Sequence, residues 1–475
     1  MPTEKIPMHM ASVRCLVILG ICIFATYACD KGVEISKPSD SAGVTGFSVS
    51  ANPYNVLSAV ATVKTYSAMS VRIEFGTDST MSSFTPLKLV EDDAAQIPLL
   101  GLESDKTYWA KAVAIAQDGK ESRSNPVSFT TGSLPTDIPR LIIHEFDDPA
   151  PGYVMIGFTG GGFTHAYAAI FDNEGKVLWY RRFEGSVIDF QKQPNNHYTV
   201  CVARPGFATQ FYEIDILGTI IRSYQARDDR ETDVHELRIV GDAHVLFGIE
   251  YRVMDLTEFG GFEDAIVKGI VVEYYKPAAV PLYWNTFDYL NVTDAASNIS
   301  LLGQNVNPWH GNAIEVDFDG HLLVSFRHSE EITKIDETSG NILWRLGGEN
   351  NEFEFVNDTY NGFSHQHGIR RLENGNIILF DNGNLRNPQE SRAVEYRIDE
   401  QLKRATLIWE YRALPPLYSS ALGFAQRLSN GNTFITYGRI PRLVEVDLAG
   451  RKRWEASVEA PVQFIYRAFK INTLY

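Results

Sequence analysis

The feature that most constrains this chain is a repeat. His310 opens HGNAIEVDFDGHLLVSFR, His367 opens HGIRRLENGNIILFDNG, His235 opens HELRIVGDAHVLFGIE, and GFAQRLSNGNTFITYGR from Gly423 has the same form without a histidine. Each copy is an apolar run, a Gly or Asp-Gly turn, and a second apolar run. The turn glycines Gly320, Gly375 and Gly431 lie 55 and 56 residues apart, whereas Gly241 precedes Gly320 by 79, which predicts one repeat with an insertion near residues 280 to 307. Self-similarity at such a period belongs to propellers and solenoids.

A second pattern separates those two. An acidic turn followed by an apolar strand recurs as FDNEGKVLWYRR, YEIDILGTIIRSY, TKIDETSGNILWRLGG, EYRIDEQLKRATLIWEY and VEVDLAGRKRWEASV, with Trp179, Trp344, Trp409 and Trp454 at matching places. Short alternating runs split by Asp-x-x-Gly turns are antiparallel hairpins, and helical periodicity is nearly absent. Four short strands per repeat of about 40 to 55 residues describe a propeller blade. Inner-strand candidates near residues 165, 198, 245, 322, 377 and 433 predict an all-β, six-bladed β-propeller over 139–475, with seven blades as the alternative. The tryptophans read as blade-to-blade docking; a quinoprotein-like redox propeller, which they alone would suggest, is the weakest functional reading.

With 475 residues, 44% hydrophobic and 12% aromatic, the chain can bury a sizeable core. A formal net charge of −16 argues against nucleic acid as a partner, since phosphate binding needs a basic face. Any anionic small molecule would need a local cationic pocket that overrides the general field.

Two further segments precede the repeats. Lys5, His9 and Arg14 lead into CLVILGICIFAT, an apolar run of 12 residues, too short to span a bilayer but of signal-peptide length. The following Thr26-Tyr27-Ala28-Cys29 resembles a bacterial lipobox. It predicts a lipoprotein signal peptide over 1–28, lipidation at Cys29, a membrane contact through that lipid, and an exported protein of the periplasm or outer membrane. Cys201 would then be the lone remaining thiol away from the lipidated terminus, so no structural disulfide is expected. Residues 44–133 carry strands at sandwich spacing, with Tyr108 shortly after Leu102, and resemble a fibronectin type III β-sandwich. Gly132 to Thr136 is the linker.

One histidine in a strand-rich domain is most often a packing or surface residue. Three that begin successive inner-strand segments converge on one channel mouth. His310 and Asn312 are two apart, hence on one side of a strand, and Arg327 returns beside them through the Asp319-Gly320 hairpin. A guanidinium with two imidazoles and an amide is rich in donors and poor in acceptors, which suits a tetrahedral oxyanion. A zinc site of His235, His310, His365 and His367 is disfavoured by Arg327 and by the scarcity of carboxylates, so no metal and no other cofactor is expected. Phosphate loops, dinucleotide fingerprints and Gly-x-Ser-x-Gly are missing.

The ordered set His-x-Asn, Ser-Phe-Arg-His, Ile-Leu-Trp-Arg-Leu-Gly-Gly, His-Gln-His-Gly and Ser-Arg-Ala-Val-Glu-Tyr resembles the bacterial arylsulfotransferases over roughly 139–475, most closely from Trp309 to Tyr411. That resemblance implies transfer of a sulfuryl group between phenols without a nucleotide sulfate donor, with aryl sulfates and phenols as partners. It makes His367 the transiently sulfated nucleophile, His310, Asn312 and Arg327 the holders of the sulfuryl oxygens, and His235 a candidate general acid or base. His365 has the spacing to face the same way as His367, and only the resemblance chooses between them. A C-terminal hydroxyl is also implied, for which Thr436 and Tyr437 are the candidates. The competing class is a non-catalytic, lipid-anchored propeller that binds a ligand or mediates adhesion. Oligomeric state is not legible.

Overall fold

The computed structural model describes residues 42–159, 165–459, 462 and 464–475. The expected leader over 1–28 and Cys29 lie outside the described residues. Within them the regular structure is almost entirely strand, with helix confined to Thr286–Tyr289 and two 3-10 turns at Thr257–Phe259 and Val292–Asp294.

The N-terminal part is a pair of sheets. Gly43–Ala51, Ala59–Tyr66 and Ala94–Leu99 form one, and a second is built on Ser70–Gly76 and Thr107–Ile115. Alternation explains their packing: Ala59, Ala61 and Val63 turn inward from one sheet to meet Val71, Ile73, Ala110 and Ala112 of the other. The Tyr108 hydroxyl accepts the Glu103 N–H at 2.9 Å, tying the strand back to the turn that precedes it.

Among the described residues, those from 141 to 471 build six further sheets. The two ends of this region are exchanged between sheets: Ala468–Ile471 pairs with Tyr153–Gly157, and Leu141–Phe146 pairs with Lys452–Val458. The first and last strands of this region are therefore hydrogen bonded into sheets whose other strands lie at its opposite end, which ties the two ends together. The strands Ser186–Lys192, Glu231–Val240, Gly311–Val316, His367–Arg371, Phe424–Arg427 and Ala468–Ile471 each touch the next, and the last touches the first. Six strands thus close a cycle around one centre.

The tryptophan repeat has a physical reason. Trp179 Nε1 donates to Ile216 O at 2.6 Å, Trp409 Nε1 to Leu448 O at 3.0 Å, and Trp454 Nε1 to Asn173 O at 2.7 Å. In each case the acceptor lies inside an Asp-x-x-Gly turn of a neighbouring sheet. The indole fills the seam between sheets while its one donor is satisfied. Trp344 is equally buried, but its indole N–H has no partner, and the turn at its seam lacks the glycine.

The expected insertion is divided. The strands Ala243–Met254 and Ala265–Tyr275 are 12 and 11 residues long, so part of the extra chain lengthens a hairpin upstream of residue 280. The rest forms the short helix and returns to pair Asn305–Val306 with Ile266 and Val267.

Candidate active site

Beneath the centre of the cycle lies a buried ionic network. Arg467 Nε meets Asp189 Oδ1 at 2.7 Å, its two terminal nitrogens meet Glu236 at 2.9 and 2.8 Å, and Nη2 also donates to the His235 carbonyl at 2.7 Å. Arg370 reaches Glu236 at 3.0 Å from another strand. Each of the three nitrogens of the Arg467 fork therefore has an acceptor, as a guanidinium in this environment requires. The network welds the C-terminal segment to the backbone that carries His235.

His367 begins its strand, and the geometry there is not regular. Gly368 has φ +66°, and a Cβ at that position would meet Phe424 Cδ2 at 2.5 Å, so only glycine fits. The ladder slips between His367 and Arg370, which frees the imidazole from the alternation of the rest of the strand. Its Nδ1 lies 2.7 Å from Asn382 Oδ1 and 3.1 Å from His365 O, both acceptors. Asn382 in turn gives its amide N–H groups to Ser419 O at 2.7 Å and Leu422 O at 2.9 Å, which fixes its own orientation. Nδ1 must therefore carry the proton, leaving the lone pair on Nε2. The Leu422 N–H donates to that lone pair at 3.2 Å, from a residue held at φ +62°, so an electrophile must displace this hydrogen bond to reach Nε2. Burial, then the nearby Arg327 charge, pushes the His367 imidazole well below its usual range, so it is neutral at neutral pH.

His310 has the opposite tautomer. Its Nδ1 accepts from Asn307 Nδ2 at 3.1 Å, which leaves the proton on Nε2. Burial, and then His235 and His328, keep it neutral too. The ring packs edge-on to His235 at 4.9 Å and stacks on His328 at 4.6 Å. Arg327 donates its backbone N–H to His310 O at 2.9 Å, as the hairpin spacing predicts. The Arg327 guanidinium gives Nη2 to Ser420 O at 2.9 Å, while its buried Nε–H has no protein partner. Burial pulls this arginine down to about 10, so it remains a cation.

The other expected residues are sorted by the fold. Asn312 is fully buried and gives Nδ2 to Gln366 O at 2.6 Å, and its backbone carbonyl accepts the Tyr466 hydroxyl at 2.7 Å. His365 departs from the expected alternation: its φ is +55°, it precedes the strand, and its Nδ1 is 2.8 Å from Glu330 Oε1. Thr436 is buried and accepts the Ala468 N–H at 3.1 Å, close to the Tyr466–Arg467 segment. Tyr437, on the opposite face of the same strand, packs edge-on to Phe380 at 5.3 Å inside a sheet-to-sheet core and makes no hydrogen bond. Cys201 is a buried free thiol that burial pushes upward.

Sequence reasoning missed Asp233, Asn382, Tyr466 and the Leu422 N–H. Asp233, two residues before His235 in a strand, and Asn382, across the Gly375 hairpin from His367, carried a signal. Asn382 returns beside His367 across a hairpin of 15 residues, as Arg327 does beside His310, whereas Leu422 reaches it across 55 residues, a distance that no local pattern encodes. Among the described residues, the carboxylate–imidazole group compact enough to share a metal is His321, Asp336 and Glu337, with Lys276 Nζ 3.4 Å from Glu337; it includes none of the central histidines.

The family model for arylsulfotransferases (ASST) matches residues 160–467. No curated protein matches the chain. Among solved structures, a Bacteroides caccae protein of unknown function is 12% identical with a TM-score of 0.42, covering 68% of this chain and 100% of its own. A catalytically inactive virginiamycin B lyase from Staphylococcus aureus, solved with quinupristin, is 10% identical with a TM-score of 0.31, covering 67% and 98%. A Synechocystis apocarotenoid oxygenase variant is 9% identical with a TM-score of 0.35, covering 72% and 97%. These three likenesses carry no argument about activity. The family match does, because it spans well over half of the chain and takes in His235, His310, Arg327 and His367 together: this protein belongs to the arylsulfotransferase family.

Proposed function

We propose that this protein moves a sulfuryl group from a phenolic sulfate ester to a phenolic acceptor in two half-reactions, through a sulfohistidine at His367. The observation that carries this reading is the tautomer lock. Asn382 Oδ1 holds the Nδ1 proton, so a neutral imidazole keeps its Nε2 lone pair beside a guanidinium with a free buried donor. Attack at sulfur forms the N–S bond as the aryl O–S bond breaks. Negative charge then moves toward the leaving oxygen, and Arg327 Nε–H with His310 Nε2–H are donors set in a water-poor centre to receive it. Asn312 and Thr436 shape the same centre.

The architecture that we propose for this chemistry is a six-bladed propeller over 139–475, preceded by a fibronectin III-like spacer over 44–133. The six-strand cycle and the exchanged termini support the first part, and the two packed sheets with the Tyr108–Glu103 bond support the second. Lipidation at Cys29, after removal of 1–28, would tether this enzyme at the bacterial periplasmic or outer membrane, where small aryl sulfates and phenols are its partners.

The test is intact-mass and peptide mapping after incubation with nitrophenyl sulfate and no acceptor. A sulfuryl adduct on His367, discharged by added phenol and absent in His367→Ala, is the expected result. No adduct on any histidine, with no nitrophenol released to any phenol, removes this reading.

A further inference from the structure

A cavity of about 580 Å³ opens beside His235, with Phe207, Val234 and Ile249 on its apolar side and Asp233 and Lys268 on its polar side. Asp233 is buried, and one of its oxygens does two things. Oδ1 takes the backbone N–H of His235 at 3.0 Å and the ring Nδ1 of the same residue at 2.5 Å. The other oxygen faces Lys268 Nζ at 3.4 Å. Burial works to raise this carboxyl, but the His235 imidazole and Lys268 hold it down at about 2, so it is a permanent anion. His310 and Tyr466 close two sides of the His235 ring, edge-on at 4.9 and 5.4 Å. With Nδ1 bound to Asp233, the only ring nitrogen left to exchange a proton is Nε2.

We propose, on the sulfotransferase reading above, that the cavity receives the aryl ring of the substrate and that Asp233 is the positioning residue that makes His235 Nε2 the acid and base for the phenolic oxygen. In the first half-reaction the His367 Nε2 lone pair forms the N–S bond and the aryl O–S bond breaks. Its electron pair leaves on the phenolic oxygen, which takes the Nε2 proton of a His235 that starts protonated on both nitrogens against the Asp233 carboxylate and ends as neutral imidazole. In the second half the acceptor phenol gives its proton to that nitrogen, its oxygen attacks sulfur, and the N–S pair returns to His367. An ordinary phenol, with a pKa of about 10, needs that proton in order to leave. Nitrophenol, a far better leaving group, hardly needs it.

The contrast supplies the experiment, in the full chain with Asp233→Asn and Asp233→Glu. Single-turnover release of phenol from phenyl sulfate is expected to fall roughly 10²- to 10⁴-fold in Asp233→Asn, the usual worth of acid–base assistance. Release of nitrophenol, read with the His367 adduct, should fall by less than about 10-fold, and Asp233→Glu should recover part of the phenyl sulfate rate. Phe207→Ala, an exposed side chain, should raise KM for both donors with little change in kcat. Equal slowing of the two donors makes Asp233 a merely structural residue and overturns the assignment, and an unchanged KM in Phe207→Ala takes the aryl ring out of this cavity. Unmutated protein that loads no sulfuryl group overturns the underlying reading as well, so the two failures are distinguishable.

Discussion

Asn382 Oδ1 lies 2.7 Å from His367 Nδ1, and this contact decides which nitrogen of the histidine keeps its lone pair. Both amide N–H groups of Asn382 are committed to carbonyls of the 419–422 segment, so the amide cannot turn and the tautomer cannot switch. Asn382→Ala is expected to lower the single-turnover rate of adduct formation about 10- to 100-fold, the effect of roughly 1–3 kcal/mol lost at one buried hydrogen bond. Stopped-flow release of nitrophenol measures it; a rate within twofold of the unmutated protein contradicts the lock.

Arg327 has a planar fork, of which one arm is bound to Ser420 O and the Nε–H is buried without a partner. Lysine preserves the charge but loses the fork. Arg327→Lys should reduce kcat by about 10²- to 10³-fold, with a smaller change in KM, as for loss of one aimed donor in an oxyanion site. Steady-state kinetics with nitrophenyl sulfate check this, and a change confined to KM would place Arg327 in ground-state binding.

Acid should destabilise the fold through its histidines. Burial first, and neighbouring cations second, hold His244 at about 4, and His328, also mainly through burial, at about 4, while His310 and His367 are also pushed below the usual 6.5. The unfolded chain therefore binds protons between about 6.5 and 4 that the folded chain does not, and stability falls as pH drops through that window. Thermal melting from about pH 7 to about pH 4 should show a steady decline, reduced in slope by His328→Gln. Adduct formation should persist below pH 6.5, because His367 stays neutral there.

Trp454 is fully buried, and its indole N–H bonds Asn173 O in the adjoining sheet, beside the seam closed by the exchanged termini. Trp454→Ala is expected to cost about 3–5 kcal/mol, from lost burial and the cavity left behind. Chemical denaturation gives the value. A loss near that of an exposed residue would show that the seam does not depend on its indole.

Much of this molecule is legible in the sequence because its information is local. Asp-x-x-Gly turns, two-residue alternation and the tryptophan spacing are short-range signals, and they yield the strands, the hairpins and the docking of Trp179, Trp409 and Trp454. The pairing of Arg327 with His310 across the Asp319-Gly320 hairpin is equally local. Alternation misleads where the backbone leaves the extended region. His365, at φ +55°, turns to Glu330 instead of following His367, and the bulge after His367 breaks the two-residue rule at the proposed nucleophile.

The sequence by itself determined an all-β chain of repeated hairpins, the histidine and arginine set, and the family to which it belongs. Only the tertiary structure decided the protonation pattern of that set. Asn382 and Asn307 assign opposite tautomers to His367 and His310, Asp233 takes one nitrogen of His235, and Arg467 ties that histidine's backbone to the closing strand. A tautomer depends on which acceptor or donor stands within about 3 Å. Asp233, Asn307 and Asn382 are neighbours in sequence or across one hairpin, but the bulge after His367 and the left-handed turn at His310 set which of their atoms comes within that distance, and Arg467 arrives only once the six sheets have closed on one centre.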